Sequence, residues 1–208
     1  MIMNLLKFIK ELKLPHYLLI LYIIIFTILG INPYGREIWL AENIPIMLIV
    51  LGLVLTYKKF QFSNTAYILM SILIFMHTVG GHYTFARVPD FGLWNALGFE
   101  RNMYDRVAHF SVGFYAFACA ELLSKKKLVN SNWILYLFPL FFIISVAGFY
   151  ELFEWQFAIM GDPTAGLEVL GSQGDIWDAQ KDILADTFGA VFSLGIFAFL
   201  NRGKKNKK

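Results

Sequence analysis

Three stretches of this chain place acids and imidazoles at helical spacing inside otherwise apolar sequence. In Met103-Tyr104-Asp105-Arg106-Val107-Ala108-His109, Asp105 and His109 are four apart and share a helix face. In Tyr150-Glu151-Leu152-Phe153-Glu154-Trp155, Glu151 and Glu154 are three apart and also share a face. Asp175, Asp178, Asp182 and Asp186 follow at spacings of three, four and four, a carboxylate stripe along one helix. His77 and His82 close a further apolar run. Carboxylates with one or two imidazoles on facing helices resemble the ligand sets of helical-bundle carboxylate centres. Asp105, His109, Glu151, Glu154, Asp182 and Asp186 are the expected metal ligands. An oxygen-rich set with a histidine suits Mg²⁺, Mn²⁺, Fe²⁺ or Zn²⁺. Asp178 or His82, toward the mouth, would then be the general base.

The elements that must carry these residues are membrane spans. Of 208 residues, 58% are hydrophobic and 16% charged, with a mean hydropathy of +0.58, against about a quarter charged in soluble domains. Six segments qualify, at about 16–31, 43–57, 65–82, 103–123, 132–156 and 178–200. The expected fold is therefore all-α, a bundle of six transmembrane helices forming one transmembrane domain over residues 1–208, with no separate soluble domain. Long apolar runs, rather than alternation, exclude a spanning β-barrel. The single cysteine, Cys119, excludes an internal disulfide and a cysteine-based zinc site. Ile2, Leu5, Leu6, Ile9 and Leu12 recur opposite lysines in residues 1–13, the pattern of an interfacial amphipathic helix. Pro45 is placed for the first turn of the second span.

Charge sets the orientation. With the N-terminus inside, 13 of the 18 basic residues and only Glu11 and Glu121 of the 15 acids fall on the inner side. The inner side is then +11 and the outer side −8, which accounts for the net +3. Both termini are expected to be cytoplasmic. The lysine clusters read as topology signals that touch anionic lipid, not as a nucleic-acid surface. The expected partners are membrane lipids and a lipid or lipid-linked substrate, and the oligomeric state is not legible.

Depth follows from length. From Thr187 to Asn201 the sixth span has only 15 uncharged residues, and a span needs about 20. Asp186, and with it Asp182, must lie within the membrane. Each buried charge costs about 2.5–3.5 kcal/mol at the bilayer centre, so the acids must face one another or a wet cavity. Clustered carboxylates need compensation. A metal ion, shared protons, or arginines from the 83–102 loop would supply it, and the sequence leaves these open. Three functions remain open with them: a metal-dependent enzyme acting on a lipid headgroup or lipid-linked envelope precursor, a cation or proton transporter or channel, and a binding or assembly protein with a structural polar core. Ala185, Gly189 and Ser193 form a small-residue row suited to packing against the fourth or fifth helix.

The stretches Asp105-Arg-Val-Ala-His109-Phe110, Tyr150-Glu151-Leu-Phe-Glu154-Trp155 and Leu170 through Ala190, with Gln173-Gly174-Asp175, Asp178, Gln180-Lys181-Asp182, Asp186 and Gly189, resemble the YjdF-like family of small bacterial inner-membrane proteins, which carry a domain of unknown function. The resemblance covers most of the chain. It implies a multi-pass protein of the bacterial plasma membrane and implies no activity. A fainter similarity runs to VanZ-like membrane proteins, which are associated with glycopeptide-antibiotic resistance. Asp105 and His109 fit that family's Asp-x3-His helix start, and Asp182, Asp186 and Gly189 fit its later Asp-x3-Asn-x2-Gly element. Asp186 stands where that pattern has asparagine, which adds a negative charge.

Overall fold

The computed structural model describes residues 12–160 and 163–202. The proposed interfacial helix at 1–13 falls almost entirely outside the described residues, as do the lysines after Arg202. Among the described residues there are nine α-helices, in order: α1 (Leu14–Leu29), α2 (Arg36–Thr56), α3 (Asn64–Tyr83), α4 (Leu93–Ala96), α5 (Tyr104–Val112), α6 (Tyr115–Lys125), α7 (Asn132–Met160), α8 (Pro163–Leu170) and α9 (Asp178–Asn201). A 3₁₀ turn, Phe85–Arg87, follows α3. No strand occurs among the described residues.

Five elements among the described residues are long and apolar enough to cross a membrane: α2, α3, α5 and α6 taken together, α7, and α9. In hydrocarbon a backbone must satisfy its own polar groups, and uninterrupted helix is how these apolar runs do so. α1 is apolar too but has only 16 residues. It starts at Leu14-Pro15, where proline's missing N–H costs nothing, and the Lys13 N–H donates to His16 Nδ1 at 2.9 Å. The Ser63 hydroxyl caps α3 by accepting from the Ala66 N–H. Buried Glu121 holds that cap, accepting from Ser63 N at 2.7 Å and Ser63 Oγ at 2.5 Å, and pairing with Lys125 at 2.5 Å. Glu121 is thus a structural clasp between α3 and α6.

Three segments differ from the expected spans. α2 begins at Arg36 rather than at residue 43, so Pro45 lies inside the helix and Glu42 and Asn43 lie within it. The apolar Ile38-Trp39-Leu40-Ala41 run extends the helix toward its N-terminus, and Asn43 Nδ2 donates to the Trp39 carbonyl at 2.9 Å. α7 is longer than expected, reaching Met160, and stays helical through Pro139. The fourth segment is not one continuous α-helix. Between α5 and α6 the chain turns with i to i+3 hydrogen bonds, Phe114 N to Ser111 O and Ala116 N to Gly113 O, both at 3.1 Å. Such tight turns recur where a helix is locally re-aimed.

α3 packs against α1, α2, α5 and α6, while α9 packs against α5, α6 and α7. The break in the fourth segment abuts α9 so closely that both contact points must be glycine. A Cβ on Gly189 would overlap the Phe110 carbonyl oxygen, and one on Gly113 would overlap the backbone of Asp186 and Ala190. Ser193 Oγ donates to the Gly113 carbonyl at 3.0 Å. The small-residue row therefore packs on the fourth segment, within the range expected. An apolar core of Ala116, Phe117, Ala120, Ile143, Leu194 and Phe197 fills the bundle on the Glu121 side of this seam.

Candidate functional site

The Gly113–Gly189 contact places His109 of α5 directly against Asp186 of α9. His109 Nδ1 lies 3.2 Å from Asp186 Oδ2. The other ring nitrogen, Nε2, faces three carboxylates from three helices: Asp105 Oδ1 at 3.7 Å, Asp182 Oδ1 at 3.7 Å and Glu151 Oε1 at 4.0 Å. None of the three is within hydrogen-bond distance of Nε2. All of these side chains are shielded from solvent, and Asp186 is fully buried. Asp105, His109 and Asp182 present donor atoms close enough to one another to hold a metal ion.

Two arginines compensate part of this charge. Arg106, one residue along from Asp105, reaches α9, where it pairs with Asp182 and with Asp178 Oδ1 at 2.6 Å. Arg101, from the loop before α5, meets Asp178 Oδ1 at 2.5 Å and lies 3.7 Å from both Asp105 Oδ2 and Asp175 Oδ2. Asn102 and Gln173 anchor that loop by exchanging backbone and side-chain hydrogen bonds at 2.9 and 3.0 Å. The Gly171 carbonyl accepts from Arg101 Nη2 at 3.3 Å. Outside the spans, the Lys181 ammonium 2.6 Å from Asp175 holds that carboxyl below its ordinary pKa. The hydrogen bonds from Arg87 likewise hold Glu168 low, with Thr84 Oγ1 donating at 3.1 Å.

The expected ligands divide on this geometry. Asp105, Glu151 and Asp182 face Nε2 of His109, and Asp186 holds the opposite ring nitrogen, Nδ1. Glu154 is buried and lines the adjoining cavity instead of facing His109 Nε2. Asp178 is committed to two guanidinium groups. His82 is turned toward α1, its Nδ1 2.7 Å from the Leu29 carbonyl.

A second polar group was not read from the sequence. Tyr150 OH donates to Glu42 Oε2 at 3.0 Å and lies 3.3 Å from His77 Nε2, while His77 Nδ1 is 3.7 Å from the same Glu42 oxygen. Glu42 and His77 are buried, and the Tyr150 ring stands 6.4 Å from that of His109. The missed signal was the apolar run before Glu42, which lengthens α2 and carries the acid inward. Between the two groups lies a cavity of about 290 Å³. Its polar end is formed by Asp105, His109, Asp186, Tyr150, Glu154 and His77, and the rest of its wall is apolar.

The donor chemistry fits a divalent ion. Metal bonds to oxygen and nitrogen are about 2.0–2.2 Å, so donors sharing one ion stand roughly 3–4 Å apart. Asp105, His109 and Asp182 offer donors that all lie near one another, Asp182 through an oxygen that also pairs with Arg106, while Glu151 Oε1 stands 4.0 Å from Nε2 at the edge of this group. A carboxylate on the far nitrogen, here Asp186 on Nδ1, is how ligating histidines are commonly oriented. Glu151 Oε1 and Asp186 Oδ1 are buried without a hydrogen-bond partner, which native interiors rarely tolerate.

Comparison with known proteins bears on the chain as a whole. Inner membrane protein YjdF of Escherichia coli (strain K12) is 32% identical over 171 residues, covering 81% of this chain and 80% of that protein. No solved structure matches the chain. The sequence model of one family, described as "Predicted membrane protein (DUF2238)", matches residues 14–203, a span that takes in every helix named above. The chain is thus an integral, multi-pass membrane protein, and it belongs to the YjdF-like, DUF2238 family.

Proposed function

We propose that the chain is one six-span transmembrane domain of the bacterial plasma membrane, both termini cytoplasmic, whose carboxylate–histidine cluster binds a divalent metal. In this reading it is an enzyme acting on a lipid headgroup or lipid-linked envelope precursor in the outer leaflet. The observation that carries the proposal is His109: Nδ1 is held by Asp186, and Nε2 faces oxygens of Asp105, Asp182 and Glu151 without hydrogen-bonding to any. A simple imidazolium–carboxylate pair would close to about 2.7–2.9 Å on one oxygen. Bound there, a metal would supply Lewis acidity to an oxygen of the substrate.

The protein's own groups have separable roles. Asp105, His109, Asp182 and Glu151 would hold the ion, and Asp186 would fix the His109 ring. Arg101 and Arg106 limit the residual negative charge. Asp178 positions these guanidiniums, and His82 faces α1. Tyr150, backed by Glu42, is therefore the better placed proton carrier at the cavity. The apolar core between His109 and Glu121 weighs against a proton path to the inner face.

Elemental analysis of detergent-purified protein tests the reading. Near-stoichiometric Mg, Mn, Fe or Zn is expected in the wild type, with none in a His109→Ala variant that still melts cooperatively. A wild type that stays metal-free after soaking in Mn²⁺ and Zn²⁺ overturns it.

A further inference from the structure

We propose that the 290 Å³ cavity seats the hydrocarbon chain of a phosphate-bearing, single-tailed amphiphile, which enters sideways from the membrane between α2 and α7. Its headgroup end rests on the metal reading above.

The cavity is open in the wrong direction for a water-soluble substrate. Phe85 turns back from the 3₁₀ turn and is buried over the outer end of the cavity, its ring edge-on to His77 at 4.9 Å. Gly80 makes room for it, since a Cβ there would come within 2.6 Å of the Phe85 ring. The lateral wall is thin by comparison. Ile46 and Ile49 of α2 and Phe142 and Val146 of α7 line the cavity, yet the two helices form no packed seam and meet through the Tyr150–Glu42 hydrogen bond. Phe142 and Val146 are also 48% and 41% exposed on the outer surface of the bundle. Single side chains therefore separate the cavity from surrounding lipid.

The lining selects the occupant. Water does not fill an apolar cavity, and hydrocarbon from the adjoining bilayer does so at little cost. At about 290 Å³ the space lies at the low end of small-molecule pockets, which fits one chain rather than two. An occupying chain would end at Asp105, His109 and Asp186. A divalent ion at that end would recognise a phosphate oxygen.

The test uses the full-length protein in phosphatidylcholine vesicles containing lysophosphatidic acid with a photoactivatable diazirine in its acyl chain. A monoacylglycerol carrying the same chain serves as the phosphate-free control. Crosslinks are mapped by mass spectrometry, and metal content is measured on the same samples. The expected result is labelling of Ile46, Leu73 or Ile143, about tenfold stronger for the phosphate probe, a preference worth 1.4 kcal/mol. Ala147→Phe, or Leu73→Phe should the first not fold, should abolish that labelling while metal content stays unchanged. Labelling confined to outward-facing residues such as Leu48 and Phe149 overturns the cavity proposal whatever the metal content. Equal labelling by both probes in metal-loaded protein overturns the phosphate assignment. Cavity labelling in a protein that holds no metal overturns the metal reading and the phosphate assignment with it.

Discussion

Arg106 sits in a segment composed to cross a membrane and faces two buried acids, Asp178 and Asp182. Removing one member of a buried ion pair leaves an uncompensated charge, at a cost of about 3–5 kcal/mol. Arg106→Ala should therefore lower the melting temperature in detergent sharply, whereas Arg106→Lys should recover part of the loss; an Arg106→Ala melt within a degree of wild type would refute the coupling. Outside the spans, the Arg87 hydrogen bonds hold the Glu168 carboxyl below its ordinary value. A depressed acid contributes stability that is complete above its unfolded pKa, about 4.3, and is lost as pH falls through its folded one. Thermal melts of wild type and Arg87→Ala should differ by a constant amount near pH 7 and converge below about pH 4.3. A gap that does not narrow as the pH is lowered beyond that point would contradict this. Most of the His109 constellation was legible because each contributing pair repeats at one helical turn on its own helix. Glu42 was not assigned, because its partners come from other helices and no spacing within one helix encodes them, whereas arginine from the 83–102 loop was among the expected compensators and Arg101 supplies it.

The elements that carry these residues are registered by a backbone contact. Gly189 lies against the Phe110 carbonyl, where nothing flexible can move aside for a side chain. Gly189→Ala should cost about 1–3 kcal/mol, the usual range for overpacking, and Gly189→Leu should cost more. Both should separate His109 from Asp186 and lower metal retention. A Gly189→Leu protein with wild-type melting and metal content would show that α9 can shift without harm. Helix positions were readable from uncharged runs, and the packing role of Ala185, Gly189 and Ser193 from their four-residue spacing. The break between α5 and α6 was not, because it answers to the close approach of α9. The early start of α2 was hidden by Pro45, which is equally at home in a first turn and in this interior position.

At the scale of the whole molecule, charge asymmetry and helix order together make a topological prediction. In a variant with Cys119 replaced by alanine, a cysteine at Asn95 should react in intact cells with a membrane-impermeant maleimide. One at Lys126 should react only after the membrane is permeabilised. The reverse pattern would invert the orientation inferred from the lysine distribution. Chain order also bears on biogenesis. Asp105, Arg106 and His109 precede in the chain the three aspartates of α9 that pair with or face them. Until α9 emerges from the ribosome, the fourth segment carries an acid, a guanidinium and an imidazole without those partners, at a site where hydrocarbon is the alternative solvent. That segment should therefore remain beside the translocon, or under the care of an insertion chaperone, until α9 arrives, and a nascent chain truncated before Asp178 should be a preferred substrate for membrane quality-control proteolysis.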